Sequence, residues 1–471
     1  MKRIAIIGGG ISGLSAAFFL EQRRLAGIPL EYILFEASPR FGGVIFTERV
    51  DDCLVEAGPD SFLTEKPEAS ELCRDLGVAD QLVGSNDSQR KTYILVNGKL
   101  IAMPDGVAFM IPTKIFPAAL SPLFSLHTKL KMSREWFHPP LEVKDDESVA
   151  SFVKRHYGKD MVDRLADPLL SGVYGGDASQ LSVKAVLPRF AEMQERHGSL
   201  SKATIKNPSQ AIGKSSRSMF TSLKDGMQQL TDALSRRIPA SCVRSNTPIQ
   251  SLCPVDAKWR VSWKDKTDQF DSVIVAVPSY VAAKLLDDSA TNLASELRGI
   301  QYSSSVTVAF GFDRNVRALL PPGFGYLVPR GEGKRVLAVT FVHNKFPHRA
   351  PEDRALLRCF LGGTWDESVL GLSDDEILQT VGKELREVLG IKAEPGFTRI
   401  YKWKAAMAQY NVGHLERLQR IEILRTQLPG LFFAGNAYNG IGIPDCVRSG
   451  QQAASQALGV ARHVSDSLLP T

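Results

Sequence analysis

Cysteine pairs are the first thing this sequence lacks. Its six cysteines are scattered, and no two stand in C-x-x-C spacing. That excludes a zinc ribbon or redox dithiol and fits a reducing cytoplasm. The eight histidines form no H-x-x-x-H or H-E-x-x-H pair, so no metal is expected. Long apolar runs are missing too. The nearest approach, 106–126, is broken by Pro112, Lys114, Pro117 and Pro122 and does not read as a bilayer span. The N-terminus runs straight into a strand, so no signal peptide is expected. Charge is nearly balanced: a net +6 suits an anionic ligand or membrane surface as well as a plain solvated surface. Residues 196–224 hold six Lys or Arg and no acid, but they lack interleaved aromatics. They read as a mobile solvated loop, and nucleic acid is not expected as a partner. No internal repeat is present.

What is there is an ordinary globular chain long enough for roughly two to four domains. Its most informative stretch is the beginning. Ile4-Ala5-Ile6-Ile7 opens into Gly8-Gly9-Gly10-Ile11-Ser12-Gly13, and an unbroken helical stretch follows. Strand, tight turn and helix with G-x-G-x-x-G at the turn form a dinucleotide-binding pattern. Gly8 allows the turn, Gly10 lets the backbone approach a pyrophosphate, and Gly13 lets helix and strand pack closely. The phosphates would sit on the unpaired N–H groups of the helix N-terminus. A second strand, 31–35, ends in Glu36, placed to accept hydrogen bonds from ribose hydroxyls. Arg40, Gly42 and Gly43 follow. The run E-A-S-P-R-F-G-G resembles the second fingerprint of FAD enzymes of the amine oxidase superfamily, which points to FAD rather than a diffusible nicotinamide.

Further along, 55–62 reads as a strand leading into a turn, where Gly58-Pro59 can bring the backbone near a flavin ring. Residues 93–101 read as a hairpin with an Asn-Gly turn, and 111 to about 195 as mainly helical. Strands at 247–252, 259–263 and 271–278 are expected to complete the nucleotide sheet. From about 297 to 410 longer alternating strands predominate, with a helix at 374–389 capped by Gly390. A strand at 431–436 then leads to the loop Asn439-Gly440-Ile441-Gly442-Ile443-Pro444-Asp445-Cys446 and a helix, 447–458. The positive end of that helix would face the ring edge where negative charge collects on reduction.

Both ends together resemble the protoporphyrinogen and coproporphyrinogen oxidases of haem biosynthesis. The likeness runs nearly end to end, and L-L-S-G-V-Y-G-G-D, A-Q-Y-N-V-G-H and G-I-P-D-C are its most specific stretches. It implies an α/β fold: a Rossmann-type FAD-binding domain (1–65, 218–295 and 411–471), an antiparallel-sheet substrate domain (66–110 and 296–410) and a mainly helical insertion (111–217). It implies non-covalent FAD against Gly8, Gly10, Ile11, Ser12, Gly13, Glu36, Arg40, Gly42 and Gly43. Gly58, Pro59 and Asp60 would lie near the ring, Ile249 would hold the adenine through its backbone, and Trp403, Asn436, Ile441, Gly442 and Ile443 would close over the isoalloxazine. The implied reaction is a six-electron oxidation of a porphyrinogen with oxygen as acceptor. The chemistry belongs to the cofactor, so no catalytic side chain is named.

Val173, Tyr326, Leu327 and Met407 are candidates for the macrocycle slot. Where plant and human members carry a propionate-facing arginine, this chain has Thr92, with Arg90 and Lys91 just before it. The Bacillus-type members carry a lysine after D-S-F-L-x-x, and Lys66 stands there. That favours coproporphyrinogen III, with protoporphyrinogen IX as the alternative substrate. A flavin amine oxidase and a nucleotide-binding scaffold without turnover are the rivals. A cytoplasmic protein is expected, with loose membrane contact and transfer of product to a ferrochelatase left open.

Overall fold

The computed structural model describes residues 1–104, 107–108, 111–112, 115–141, 145–206 and 218–459. Lys2–Ile7 is a strand, Ile11–Leu25 a helix and Leu30–Phe35 a second strand, so the opening βαβ unit forms as its apolar pattern predicts. The first strand lies at the centre of a five-stranded parallel sheet. Its neighbours on one side are Leu30–Phe35 and then Val243–Arg244; on the other are Ser272–Val275 and then Leu431–Phe433. Ile4 and Ile6 face one layer of core and Ala5 and Ile7 the other, as the period of two requires in a sheet covered on both faces.

The expectation for 247–263 needs correction. Ser251–Val255, Lys258–Trp263 and Lys266–Phe270 make a separate antiparallel sheet and do not join the parallel one. Asp256 and Lys264 adopt left-handed conformations at two tight turns, which send the chain straight back on itself. A parallel neighbour would need a crossover of a dozen residues or so. This small sheet packs on the nucleotide sheet through Phe35, whose ring centroid is 5.1 Å from that of Trp263 and 6.1 Å from that of Phe270.

A second, seven-stranded sheet has the order Phe397–Ala408, Tyr302–Asp313, Arg354–Gly362, Val336–Phe341, Gly325–Leu327, Thr92–Val96, Lys99–Ala102. It is antiparallel except where Gly325–Leu327 meets Thr92–Val96. Asp374–Leu389 covers it, burying Ile377, Val381 and Leu385, and ends at Gly390 with φ 71°. Helices between 115 and 206 form a third group with its own core around Phe152, Leu165 and Leu170.

The reading of 196–224 as one loop is also corrected. Leu200–Lys206 is a helix and Phe220–Leu223 a strand; residues 207–217 lie outside the described ones. Ser199 starts that helix by accepting from the Lys202 amide at 3.0 Å, and buried Glu135 accepts from the Leu200 amide at 2.6 Å. The basic composition hid a capped helix start. The 106–126 stretch falls partly outside the described residues. Among those described, no helix is long and apolar enough to cross a membrane.

Candidate functional site

The glycine turn behaves as a cradle. Gly8 has φ 104°, and a Cβ at Gly13 would lie 1.9 Å from the Gly8 carbonyl oxygen, so strand and helix touch there as backbone. A Cβ at Gly10 would meet no protein atom within 4 Å: the space over the turn is open. No side chain caps the helix that starts at Ile11, which leaves its first N–H groups directed at that space. Glu36 stands at the tip of its strand and accepts from the Gly9 amide at 2.6 Å and from Ser38 at 2.8 Å. Arg40 is not among the residues that line the cavity over the turn. It donates to the carbonyls of Phe41 (2.9 Å), Ile45 (2.8 Å) and Gly43 (2.5 Å), so it shapes the loop that carries Gly42 and Gly43.

From this cradle a cavity of about 1090 Å³ runs through the molecule. Gly8, Gly10, Ile11, Ser12, Glu36, Gly42, Gly43 and Ile249 line one part. Pro59, Trp403, Asn436, Ile441, Gly442 and Ile443 line the next. The volume exceeds the roughly 300–1,000 Å³ of a usual small-ligand pocket, leaving room beside a dinucleotide. The closing helix spans Ile443–Leu458, four residues longer at its start than its composition suggests, with Pro444 in its first turn. Trp403 is held by its indole N–H, which donates to the Ala57 carbonyl at 2.8 Å. Beside it Ala405 has φ 46°, at a bulge in the pairing with Tyr302–Asp313. The bulge turns Trp403, Lys404, Ala405 and Ala406 toward the cavity.

Several sequence candidates lie elsewhere. Gly13 is in the helix–strand contact behind the cradle. Gly58 and Asp60 face away from the cavity: the Gly58 carbonyl accepts from Arg358 at 2.6 Å, and the Asp60 carboxylate from Lys345 at 3.0 Å. Tyr326 is 2% exposed and packs against Phe341 in the core of the large sheet, where its apolar neighbours hold it. Leu327 packs against the helical core beside Gly172. Met407 turns its sulfur toward Gly175. Neither lines the cavity, and of the four slot candidates only half-exposed Val173 does. Lys66 lines the cavity but is not a free rim charge. Its ammonium donates to both oxygens of buried Asp445, at 2.9 and 2.7 Å. Arg448 joins them, 2.7 Å from Asp445 and 2.6 Å from Glu68.

Sequence reasoning missed Tyr174, Lys184, Pro188, Lys404, Tyr410, His414 and Arg448, all on the cavity wall. The Tyr410 hydroxyl donates to the Asn436 carbonyl and accepts from the Gly440 amide, each at 2.8 Å, and so ties the large sheet to the closing loop. His414 stacks on Tyr410 with ring centroids 4.1 Å apart, and burial pushes its pKa down to about 4. Burial pushes the Cys446 thiol up to about 12, which makes it a poor nucleophile. A signal for Tyr410 and His414 was present, since A-Q-Y-N-V-G-H is distinctive, but nothing in the sequence said which way its rings point.

Fold and cradle together define a Rossmann-type flavoprotein. The sequence pattern of flavin containing amine oxidoreductases matches residues 11–458. Coproporphyrinogen III oxidase of Bacillus subtilis is 36% identical, over 97% of this chain and 98% of its own. Protoporphyrinogen oxidase 2 of Arabidopsis thaliana is 28% identical over 100% and 96%. Among solved structures, a protein of Exiguobacterium sp. 255-15 provisionally named protoporphyrinogen oxidase superposes with a TM-score of 0.87 at 30% identity, covering 97% of this chain and 98% of the other. Putrescine oxidase, at 18% identity and a TM-score of 0.69, shares the fold. The chain belongs to the flavin containing amine oxidoreductase family and, within it, to the porphyrinogen oxidases. Its cofactor is FAD, which the open space at Gly10, the uncapped helix start and the Glu36 carboxylate all fit.

Proposed function

We propose that this protein oxidises a porphyrinogen to the porphyrin with oxygen as final acceptor, and that coproporphyrinogen III is its preferred substrate. The observation that carries this reading is one cavity that continues from the dinucleotide cradle to a mainly apolar wall with cations beside it. Val173, Tyr174, Val186, Pro188 and Trp403 contribute to the wall; Lys66, Lys184, Lys404 and Arg448 are the cations. A flat, apolar macrocycle edged by carboxylates has that chemistry in reverse. Protoporphyrinogen IX, with two propionates rather than four, uses fewer of the cations and is the alternative. An amine substrate fits worse. The acids lining the cavity are Glu36 and Asp445, both engaged, so an ammonium would meet cations without a free carboxylate.

In this reading the parallel sheet and closing helix hold the cofactor, the seven-stranded sheet supplies one wall of the slot, and the helical group supplies the other. Bound FAD would supply the oxidising power two electrons at a time, in about three rounds for the six-electron change. The chain's own part is to orient and to keep water out. Trp403, Ala405 and Ala406 press from the large sheet, Val173 and Tyr174 from the helical group, and Lys184 and Lys404 hold propionates, while Lys66 and Arg448 are tied to Asp445. FAD is held without a covalent bond in this reading: the sequence carries no cysteine or histidine attachment motif, and Cys446 on the cavity wall is buried, which pushes its thiol up to about 12. Exposed Leu120, Leu126, Leu130 and Phe137 on the helical group favour loose contact with the cytoplasmic membrane, and delivery of product to a ferrochelatase belongs to the same reading.

The test is direct. The purified protein should be yellow, with a flavin spectrum released by denaturation. Coproporphyrinogen III in air should give porphyrin fluorescence with about three oxygen molecules consumed per porphyrin. A protein that carries flavin but leaves both porphyrinogens unoxidised beyond the rate in buffer would refute the function. A faster reaction with protoporphyrinogen IX would reverse the substrate preference.

A further inference from the structure

Behind the short strap that brings Pro59 and Ser61 to the cavity wall lies a buried group of five charged side chains. Glu56 and Asp60 come from the strap. Lys345, Arg349 and Arg358 come from the large sheet and the turns beside it. Arg349 and Glu56 pair at 2.9 Å with side-chain exposures of 0% and 1%. Lys345 holds the Asp60 carboxylate at 3.0 Å, and Arg358 stands 3.6 Å from it. The same cations also take hold of the strap's backbone. Arg358 donates to the Gly58 carbonyl at 2.6 Å and Arg349 to the Asp60 carbonyl at 2.8 Å.

Two consequences follow from elementary chemistry. A trans peptide sets its N–H opposite its C=O. With the Asp60 carbonyl drawn toward Arg349, the Ser61 amide is directed the other way, and among the described residues it finds no partner. The cluster is also unbalanced, with three cations against two carboxylates. Burial pushes the Glu56 carboxyl up, and it pushes the Lys345 ammonium and the Arg358 guanidinium down, so all three resist being charged there. Nε and Nη1 of Arg349 and Nε of Arg358 have no acceptor among the described residues. Removing charges from water is costly, so a surplus of buried positive charge beside a ligand cavity is an expensive arrangement for packing alone.

Resting on the reading that FAD occupies this cavity, we propose that Lys345, Arg349 and Arg358 are positioning residues that fix the 56–61 strap against the flavin and raise the flavin's reduction potential through their excess positive charge. Reduced flavin carries negative charge, so a nearby cation favours it and a nearby carboxylate opposes it. The aromatic faces of Phe346 and Phe360, 4.6 and 5.0 Å from the guanidinium carbons of Arg349 and Arg358, help to keep the cations in place.

The experiment is a redox titration of FAD-loaded protein against dyes of known potential. Arg358→Gln removes a positive charge and should lower the midpoint. Asp60→Asn removes a negative one and should raise it. Each shift should correspond to about a tenfold change in the oxidised-to-reduced ratio, about 30 mV for a two-electron couple. Arg358→Lys keeps the charge and should keep the potential, while releasing FAD faster because the contact with the Gly58 carbonyl is lost. A merely structural cluster would shift both charge-changing variants in the same direction or neither, and either result overturns the proposal. If Arg358→Gln does not fold, Asp60→Asn decides alone: a midpoint at or below wild type sinks the idea. Wild-type protein that takes up no flavin would bring down the cofactor reading itself, which separates the two failures.

Discussion

Gly10 and Gly13 stand three residues apart and should fail in opposite ways. A side chain at Gly10 meets open space in the protein, so Gly10→Val should fold with a melting temperature close to wild-type apoprotein and still bind no flavin. A side chain at Gly13 runs into the Gly8 carbonyl, so Gly13→Val should lose stability as well. Thermal melts of the two apoproteins, with flavin content after reconstitution, check the pair. The cations divide in a similar way. Lys404 is exposed at the cavity, so Lys404→Ala should raise KM for coproporphyrinogen roughly five-fold, about 1 kcal/mol of uniform binding, with kcat little changed. Lys66→Ala should also weaken FAD binding, because it leaves the buried Asp445 at the start of the closing helix with Arg448 as its remaining ion-pair partner. Steady-state kinetics and a flavin dissociation constant for each variant would settle the contrast. Residues whose role is backbone geometry, such as Gly8 and Gly42, were legible because the motif and the geometry are one thing. Tyr326 and Met407 were not, since the direction of a side chain in a strand depends on a register that long-range pairing sets.

Elements with local signals formed where the sequence put them. Asp374–Leu389 is an example: the Ser373 hydroxyl accepts from the Glu376 amide at 3.3 Å, and Glu376 accepts from the Ser373 amide at 2.8 Å. Ser373→Ala should cost about 1 kcal/mol, read as a lower denaturation midpoint with an unchanged slope. Flavin content should not change, as no residue of the helix lines the cavity. The Asn97-Gly98 turn was equally legible; both residues adopt the left-handed conformations such a hairpin needs, φ 51° and 72°. The strands read at 247–252 and 259–263 were recognisable as strands yet were given to the wrong sheet, and Lys266–Phe270 was not read as a strand. Apolar alternation reports that a segment is extended and half buried, and says little about its partner. The bulge at Ala405, which turns four residues to the cavity, had no sequence signal: alanine is not a residue that advertises a positive φ.

For the molecule as a whole, acid should be destabilising through two buried histidines. Burial holds His343 and His414 each at about 4, below the usual 6.5. In both, the folded protein resists a proton that the unfolded chain accepts, so stability is unaffected above pH 6.5 and falls as pH drops from about 6.5 to about 4. Each contributes up to about 3 kcal/mol to that loss. His343→Gln should flatten the slope of denaturation midpoint against pH over this window; a slope equal to wild type would remove His343 from the account. Its Nδ1 lies 3.2 Å from both the amide nitrogen and the carbonyl oxygen of Leu356.

The strand order of the parallel sheet bears on how the protein is made. Its central strand is synthesised first, but one edge is Leu431–Phe433 and the helix behind it is Ile443–Leu458. Chain leaves a ribosome at about 5–20 residues per second, so the glycine turn waits on the order of half a minute for its last wall. Through that interval the apolar faces of the first strands are exposed, with the large sheet and the helical group free to form beforehand. The cofactor can therefore enter only a nearly finished protein. Cells short of flavin should accumulate a late, open-edged form, detectable as protease cleavage within 431–458 that added FAD suppresses.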